Sequence, residues 1–231
     1  MTYSDAALHN AAARVGSKSG RVYDELKSSI ISLKLQPGVQ IDKARLCERL
    51  GVSRQPVAEA LSRLAEERLV SVEPQKGTYV TRIRMSDVAE AAFLREALEV
   101  AAVRRVAIDI DDETIDRLRL LISYQSAAVA AGDDEEFYAL DLRFHATIFA
   151  RLAFRRAAEA VESARGQTER MRRLLLQPSR NDKTIGEHNA ILAGLKARNA
   201  DRAARAMHAH LGSVLKELRR FAAERPELFE P

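Results

Sequence analysis

The chain has 231 residues, 46% hydrophobic and 30% charged, enough apolar material for one large or two moderate cores. Its formal charge is +4 and it carries one cysteine, Cys47, which excludes an intramolecular disulfide framework and suits a reducing compartment. No stretch approaches the ~20 apolar residues that span a bilayer, and the N-terminus lacks an apolar leader core, so a cytoplasmic protein with no membrane partner is expected.

Residues 1–18 are small and polar, closing on Gly16-Ser17-Lys18-Ser19-Gly20, and read as a flexible arm. Within 19–84, Leu46, Leu50, Val57, Leu61 and Leu64 recur at helical spacing with a break at Gly51, where a helix C-terminus needs a residue tolerant of positive φ. Ser53 is suited to cap a second helix starting near Arg54, and Pro56 falls in its first turn, where a missing N–H is harmless. Leu69 to Val72 and Thr78 to Val80 then read as two short strands around Pro74-Gln75-Lys76-Gly77, a hairpin tip. Helix, turn, helix and ribbon in that order outline a winged helix-turn-helix, whose second helix enters the major groove of DNA.

That geometry puts Arg54, Gln55, Ser62 and Arg63 within reach of bases or phosphates. Arg54 and Gln55 lead, because Arg pairs bidentately with guanine and Gln with adenine. Ser53 at the helix start and Lys76 and Gly77 on the hairpin tip join the expected DNA contacts, while Lys43 and Arg45 suit phosphates. Residues 17–84 hold 13 Lys and Arg against 8 Asp and Glu, whereas 85–231 hold 23 against 24. The excess positive charge thus lies where phosphate binding would use it.

From Ser86 onward Ala, Leu, Arg and Glu dominate, there is no proline before Pro178, and strand character is slight. Helices are expected at 86–109, 112–131, 133–152, 154–176, 183–197 and 199–222, with Ser86 capping the first, acidic starts at Asp112 and Asp133, and breaks at Gly132, Pro178 and Asn199. The fold class is therefore mainly α: a winged helix-turn-helix followed by an all-α bundle over 85–225. Asp141 and His145 share one helix face, with Leu142, Ile148, Phe149 and Leu152 on the side of His145. His188 is in phase with Ile185, Ile191, Leu192 and Leu195, and His210 with Met207, Val214 and Leu218. His208 lies off that stripe. Three imidazoles and a carboxylate turned into a bundle suit a divalent ion such as Zn, Ni, Mn or Fe; hydrogen bonds made by each separately are the alternative. Arg95 precedes Glu99 by four residues, which fits either an intrahelical ion pair or a clamp for a ligand carboxylate.

Taken together, Leu50-Gly51-Val52-Ser53-Arg54-Gln55-Pro56-Val57-Ala58-Glu59-Ala60-Leu61, Asp141-Leu142-Arg143-Phe144-His145, Glu187-His188-Asn189-Ala190-Ile191 and His208-Ala209-His210-Leu211 resemble the GntR family of bacterial transcription regulators, in its FadR-like branch with an FCD ligand-sensing domain. The resemblance implies a homodimer on a palindromic double-stranded operator, more often a repressor. It also implies a metal on Asp141, His145, His188 and His210, and a small organic acid, held in part by Arg95, that alters DNA affinity. Members usually carry Arg where this chain has Ala58, which shifts readout onto Arg54, and many have Asn near Phe154. No nucleophile elbow, phosphate loop or His-Glu-x-x-His signature is present, so no enzyme is expected.

Overall fold

The computed structural model describes residues 17–175, 178–224, 226 and 229–230. Most of the expected N-terminal arm, including His9, lies outside the described residues. Among those described, nine helices and four short strands fall into two compact units that divide after Arg84.

The first unit opens with α1 (Lys18–Ile31), capped by Ser17, whose hydroxyl accepts from the Gly20 N–H at 2.9 Å. Helix therefore begins inside the segment expected to be an arm. Asp42 caps α2 (Lys43–Leu50), accepting from the N–H groups of Ala44 and Arg45, and Gly51 ends it at φ 61°, as its position predicts. After α3 (Arg54–Glu66), β1 (Val70–Glu73) and β2 (Gly77–Val80) form an antiparallel hairpin in the register Val70 to Val80 and Glu73 to Gly77. The Ile41 N–H donates to the Thr78 carbonyl at 2.7 Å, adding a third edge. Val22, Leu26 and Ile30 of α1 pack with Val57, Leu61 and Leu64 of α3 and with Leu69, Val70 and Val80. The core thereby holds the outer face of α3 open to solvent. Two further strands, β3 (Ile83–Arg84) and β4 (Phe229–Glu230), pair in parallel, and Arg84 forks onto the Glu230 carboxylate at 2.8 and 3.1 Å.

The second unit contains α4 (Met85–Asp109), α5 (Asp112–Ala131), α6 (Asp134–Ala150), α7 (Arg155–Leu175), α8 (Pro178–Lys196) and α9 (Ala200–Glu224). Asp111 and Asp133 cap α5 and α6, each accepting from the N–H three residues on, and Gly132 closes α5 at φ 67°. Ser86 lies inside α4, which starts one residue earlier, so it is not a cap. The fifth helix of the bundle begins at Pro178, not 183: a proline blocks helix continuation from its N-terminal side but is tolerated in a first turn, where its absent N–H has no partner to lose. Ala153, at φ 52°, turns the chain between α6 and α7, leaving Phe154 60% exposed. Val103, Val106, Ile110, Leu118, Phe144, Ile148, Leu195 and Met207 lie at the centre of the bundle core.

Candidate metal centre and DNA-reading helix

The donor cluster is assembled from three helices. On α6, Asp141 and His145 are one turn apart, and α8 and α9 each contribute one imidazole, His188 and His210. All four are buried, at 2% exposure or less. One ligand atom from each lies within 4.8 Å of the others, near the roughly 3–4 Å between ligands sharing one ion at bonds of about 2.1 Å. The three imidazole centroids stand 4.9 to 5.4 Å apart, and Phe144 stacks on His188 at 4.1 Å, fixing that ring's plane. Leu142, expected on the inward face with His145, is instead 38% exposed: at one residue from Asp141 and three from His145 it falls on the helix flank.

Each histidine meets a different acceptor through Nδ1. His188 Nδ1 is 2.9 Å from Gln125 Oε1, His210 Nδ1 is 2.8 Å from Glu187 Oε2, and His145 Nδ1 sits close against a Glu99 oxygen, though not aligned as a hydrogen bond. Among the described residues, Nε2 of His145 and of His188 and Oδ1 of Asp141 have no hydrogen-bond partner, and His188 Nε2 lies 3.4 Å from that oxygen. Buried polar atoms are seldom left so, and each missing bond costs about 1–3 kcal/mol. A ring held from behind at Nδ1 with its Nε2 left over is the arrangement of a metal-binding histidine. The residues therefore fit a divalent cation.

The electrostatics agree. Burial pushes the His145 imidazole down to about 4, with Glu99 only partly opposing, and burial together with His210 pushes His188 well below its usual value. Both are neutral near pH 7, the state that ligates. Burial alone would raise the Asp141 carboxyl, but the positive charge around it, that of Arg172 foremost, holds it well below the usual carboxylate range. Glu187 is held at about 2 against its burial by His210 and Arg180.

Three arginines surround this cluster. Arg95 is buried, donating to Glu99 at 2.7 Å and to Thr168 Oγ1 at 3.3 Å, so the intrahelical ion pair exists and lies in the site itself. Arg165 and Arg172 of α7 reach Asp141 Oδ2 at 3.4 and 3.3 Å. Neither was legible as a site residue, nor were Glu99, Gln125 and Glu187 as partners of the histidines.

In the first unit, Arg54, Gln55 and Ser62 lie exposed on one face of α3 together with Ala58 and Glu59. Ser53 occupies the N-cap position of α3, but its hydroxyl makes no cap bond. Arg63 is turned aside: its guanidinium stacks 3.7 Å over the Tyr23 ring, about a quarter-turn or more from the Arg54 face. Lys43 and Arg45 are exposed at the start of α2, and Lys76 is exposed on the hairpin tip with its ammonium 3.6 Å from Glu73. Gly77 has φ 136°, a backbone shape that favours glycine, whereas the Gln40 side-chain amide that a Cβ there would meet at 2.5 Å is a flexible end free to yield.

Comparison with known proteins connects the two units. The family model described as "Bacterial regulatory proteins, gntR family" matches residues 18–80, and that of the FCD domain matches 90–213, a span holding Arg95 and all four donors. A transcriptional regulator from an unstable DNA locus of Streptomyces ambofaciens is 32% identical over 90% of this chain and 88% of its own length. The chain belongs to the GntR family. Another relative of this GntR regulator, the Escherichia coli K12 transcriptional repressor RspR, is 29% identical over 90% of the chain and 92% of its own length. The solved E. coli McbR/YncC structure shares the fold at a TM-score of 0.80 and 24% identity, over 89% of this chain and 98% of that one. The GntR chain is thus a transcriptional regulator, and among its described residues no helix is long and apolar enough to cross a membrane.

Proposed function

We propose that this GntR-family chain is a repressor that binds a palindromic operator as a homodimer and whose affinity for it is set by a divalent metal and a small carboxylate in the helical unit. The observation that carries the reading is the set of unsatisfied buried ligand atoms on Asp141, His145 and His188, backed by acceptors that orient the rings. The repressor mode is supported by the name of the relative RspR. When bound, the ion would supply a fixed positive charge and coordination positions for an acid. Arg172 supplies the complementary donor: one of its terminal nitrogens is buried without a hydrogen-bond partner, while the other lies by Asp141. Arg95 and Arg165 add positive charge on the same flank and keep Glu99 ionised against its burial.

Since the donors sit on α6, α8 and α9, drawing them together shifts three helices at once. An acid that weakens operator binding is itself weakened by operator to the same factor, typically about five- to 150-fold in coupled systems. Operator affinity of the dimer before and after chelation, and again after metal is restored, tests the reading. At least a fivefold reversible change with the far-ultraviolet circular dichroism unchanged is expected; an identical affinity in all three states overturns it.

A signal carried by metal alone is the competing reading, favoured because Arg95, Arg165 and Arg172 already face carboxylates of the chain itself. Acetate, which binds metal too weakly to strip it from a four-donor site, titrated into metal-loaded protein separates the two, since only the first reading predicts a change in operator affinity.

A further inference from the structure

On the outer face of α3, the Gln55 side-chain amide donates through Nε2 to Glu59 Oε1 at 3.1 Å. Both residues are exposed, and neither has another partner among the described residues. An amide nitrogen carries two hydrogens, so this bond leaves Gln55 with one N–H and its Oε1 unused. That pair is the one adenine matches in the major groove, where N6 donates and N7 accepts.

We infer that Glu59 is a specificity-determining positioning residue that locks the orientation of the Gln55 amide, and so makes the recognition helix select adenine over guanine at one operator position. A carboxylate only accepts. If the amide turned over, its oxygen would face the Glu59 oxygens, acceptor against acceptor. The lock therefore excludes the orientation in which Gln55 would offer an N–H to guanine O6. Glu59 does this at an electrostatic cost, since its own charge is repelled by the phosphate backbone. Position 58 between them is Ala, and among the described residues no guanidinium is paired with Glu59, that of Arg63 one turn on being stacked over Tyr23.

The inference rests on the reading of Gln55 as a base contact, so the experiment addresses the two separately. Wild type, Gln55→Ala and Glu59→Gln would each select from a randomised duplex library, with a thermal melt confirming that both variants are folded. Glutamine at 59 keeps size and helix propensity but offers donor and acceptor alike, satisfying either orientation of the Gln55 amide. Wild type is expected to enrich adenine at one position of each half-site, and Gln55→Ala to lose that preference. Glu59→Gln is expected to admit guanine there, with adenine selectivity falling roughly fivefold or more, within the span of one bidentate contact, and with non-specific affinity equal or higher. Unchanged selectivity in Glu59→Gln while Gln55→Ala loses it overturns the lock but leaves the base contact standing. A lost cytosine instead of adenine in Glu59→Gln likewise overturns the lock alone, by making Glu59 a base contact itself, whereas a wild-type preference untouched by Gln55→Ala overturns both.

Discussion

At Gln125 a neutral side chain with no exposure accepts through Oε1 from His188 Nδ1, and its substitution leaves no buried charge behind. Gln125→Met, close in volume, is therefore expected to lower metal affinity about 10- to 100-fold, the usual effect of losing a residue that orients a ligand. Competition with a chromogenic chelator measures it, and unchanged affinity would remove His188 from the ligand set. The histidines were legible in the sequence because helical phase sends His145, His188 and His210 to the apolar side, where an imidazole is out of place. Arg165, Thr168, Glu169 and Arg172 were not, although they too share one face. Their spacing makes a polar stripe of the kind usually read as solvated, and hydropathy says that a stripe is polar without saying what it faces. In the fold all four are buried.

Helix ends followed local chemistry wherever a cap supplied it. Asp111 and Gly132 bracket α5, and Asn199 closes a turn by accepting from the Arg202 N–H at 2.9 Å before α9. Where an end depends on packing, local signals are silent. Gly194, in the last turn of α8, lets α9 approach so closely that a Cβ there would meet the Ala203 backbone N at 2.6 Å and Cα at 2.7 Å. Gly194→Ala would gain about 1 kcal/mol of helix propensity. It must also push two helix backbones apart, an overpacking cost of about 1–3 kcal/mol with no flexible side chain to yield. Net destabilisation is expected, seen as a lower melting temperature of the full chain; a rise would mean the helices separate freely.

Across the whole molecule the two units differ in charge as well as architecture, with the positive excess in the unit that matches the GntR model. The chain end belongs to that unit too: β4 pairs with β3, Phe229 is 9% exposed, and Glu230 holds Arg84. A helical domain ending at 225 gives these residues no task. Phe229→Ala is expected to destabilise the DNA-binding unit, by less than the ~3–5 kcal/mol of a central phenylalanine because the strand is short. Hydrogen exchange would show faster opening at Ile83 and Arg84; protection equal to wild type would mean the pairing contributes nothing there.

Local chemistry by itself determined the helix-turn-helix, the hairpin, the run of helices and the inward phase of three imidazoles, since each depends on residues a few positions apart. Only the tertiary structure decided that Asp141 meets those imidazoles in one cluster, that Arg165 and Arg172 face it, that Arg63 turns to Tyr23, and that the last strand returns to β3. Those contacts join residues as much as 146 positions apart, and periodicity within one helix carries no information about which other helix lies opposite.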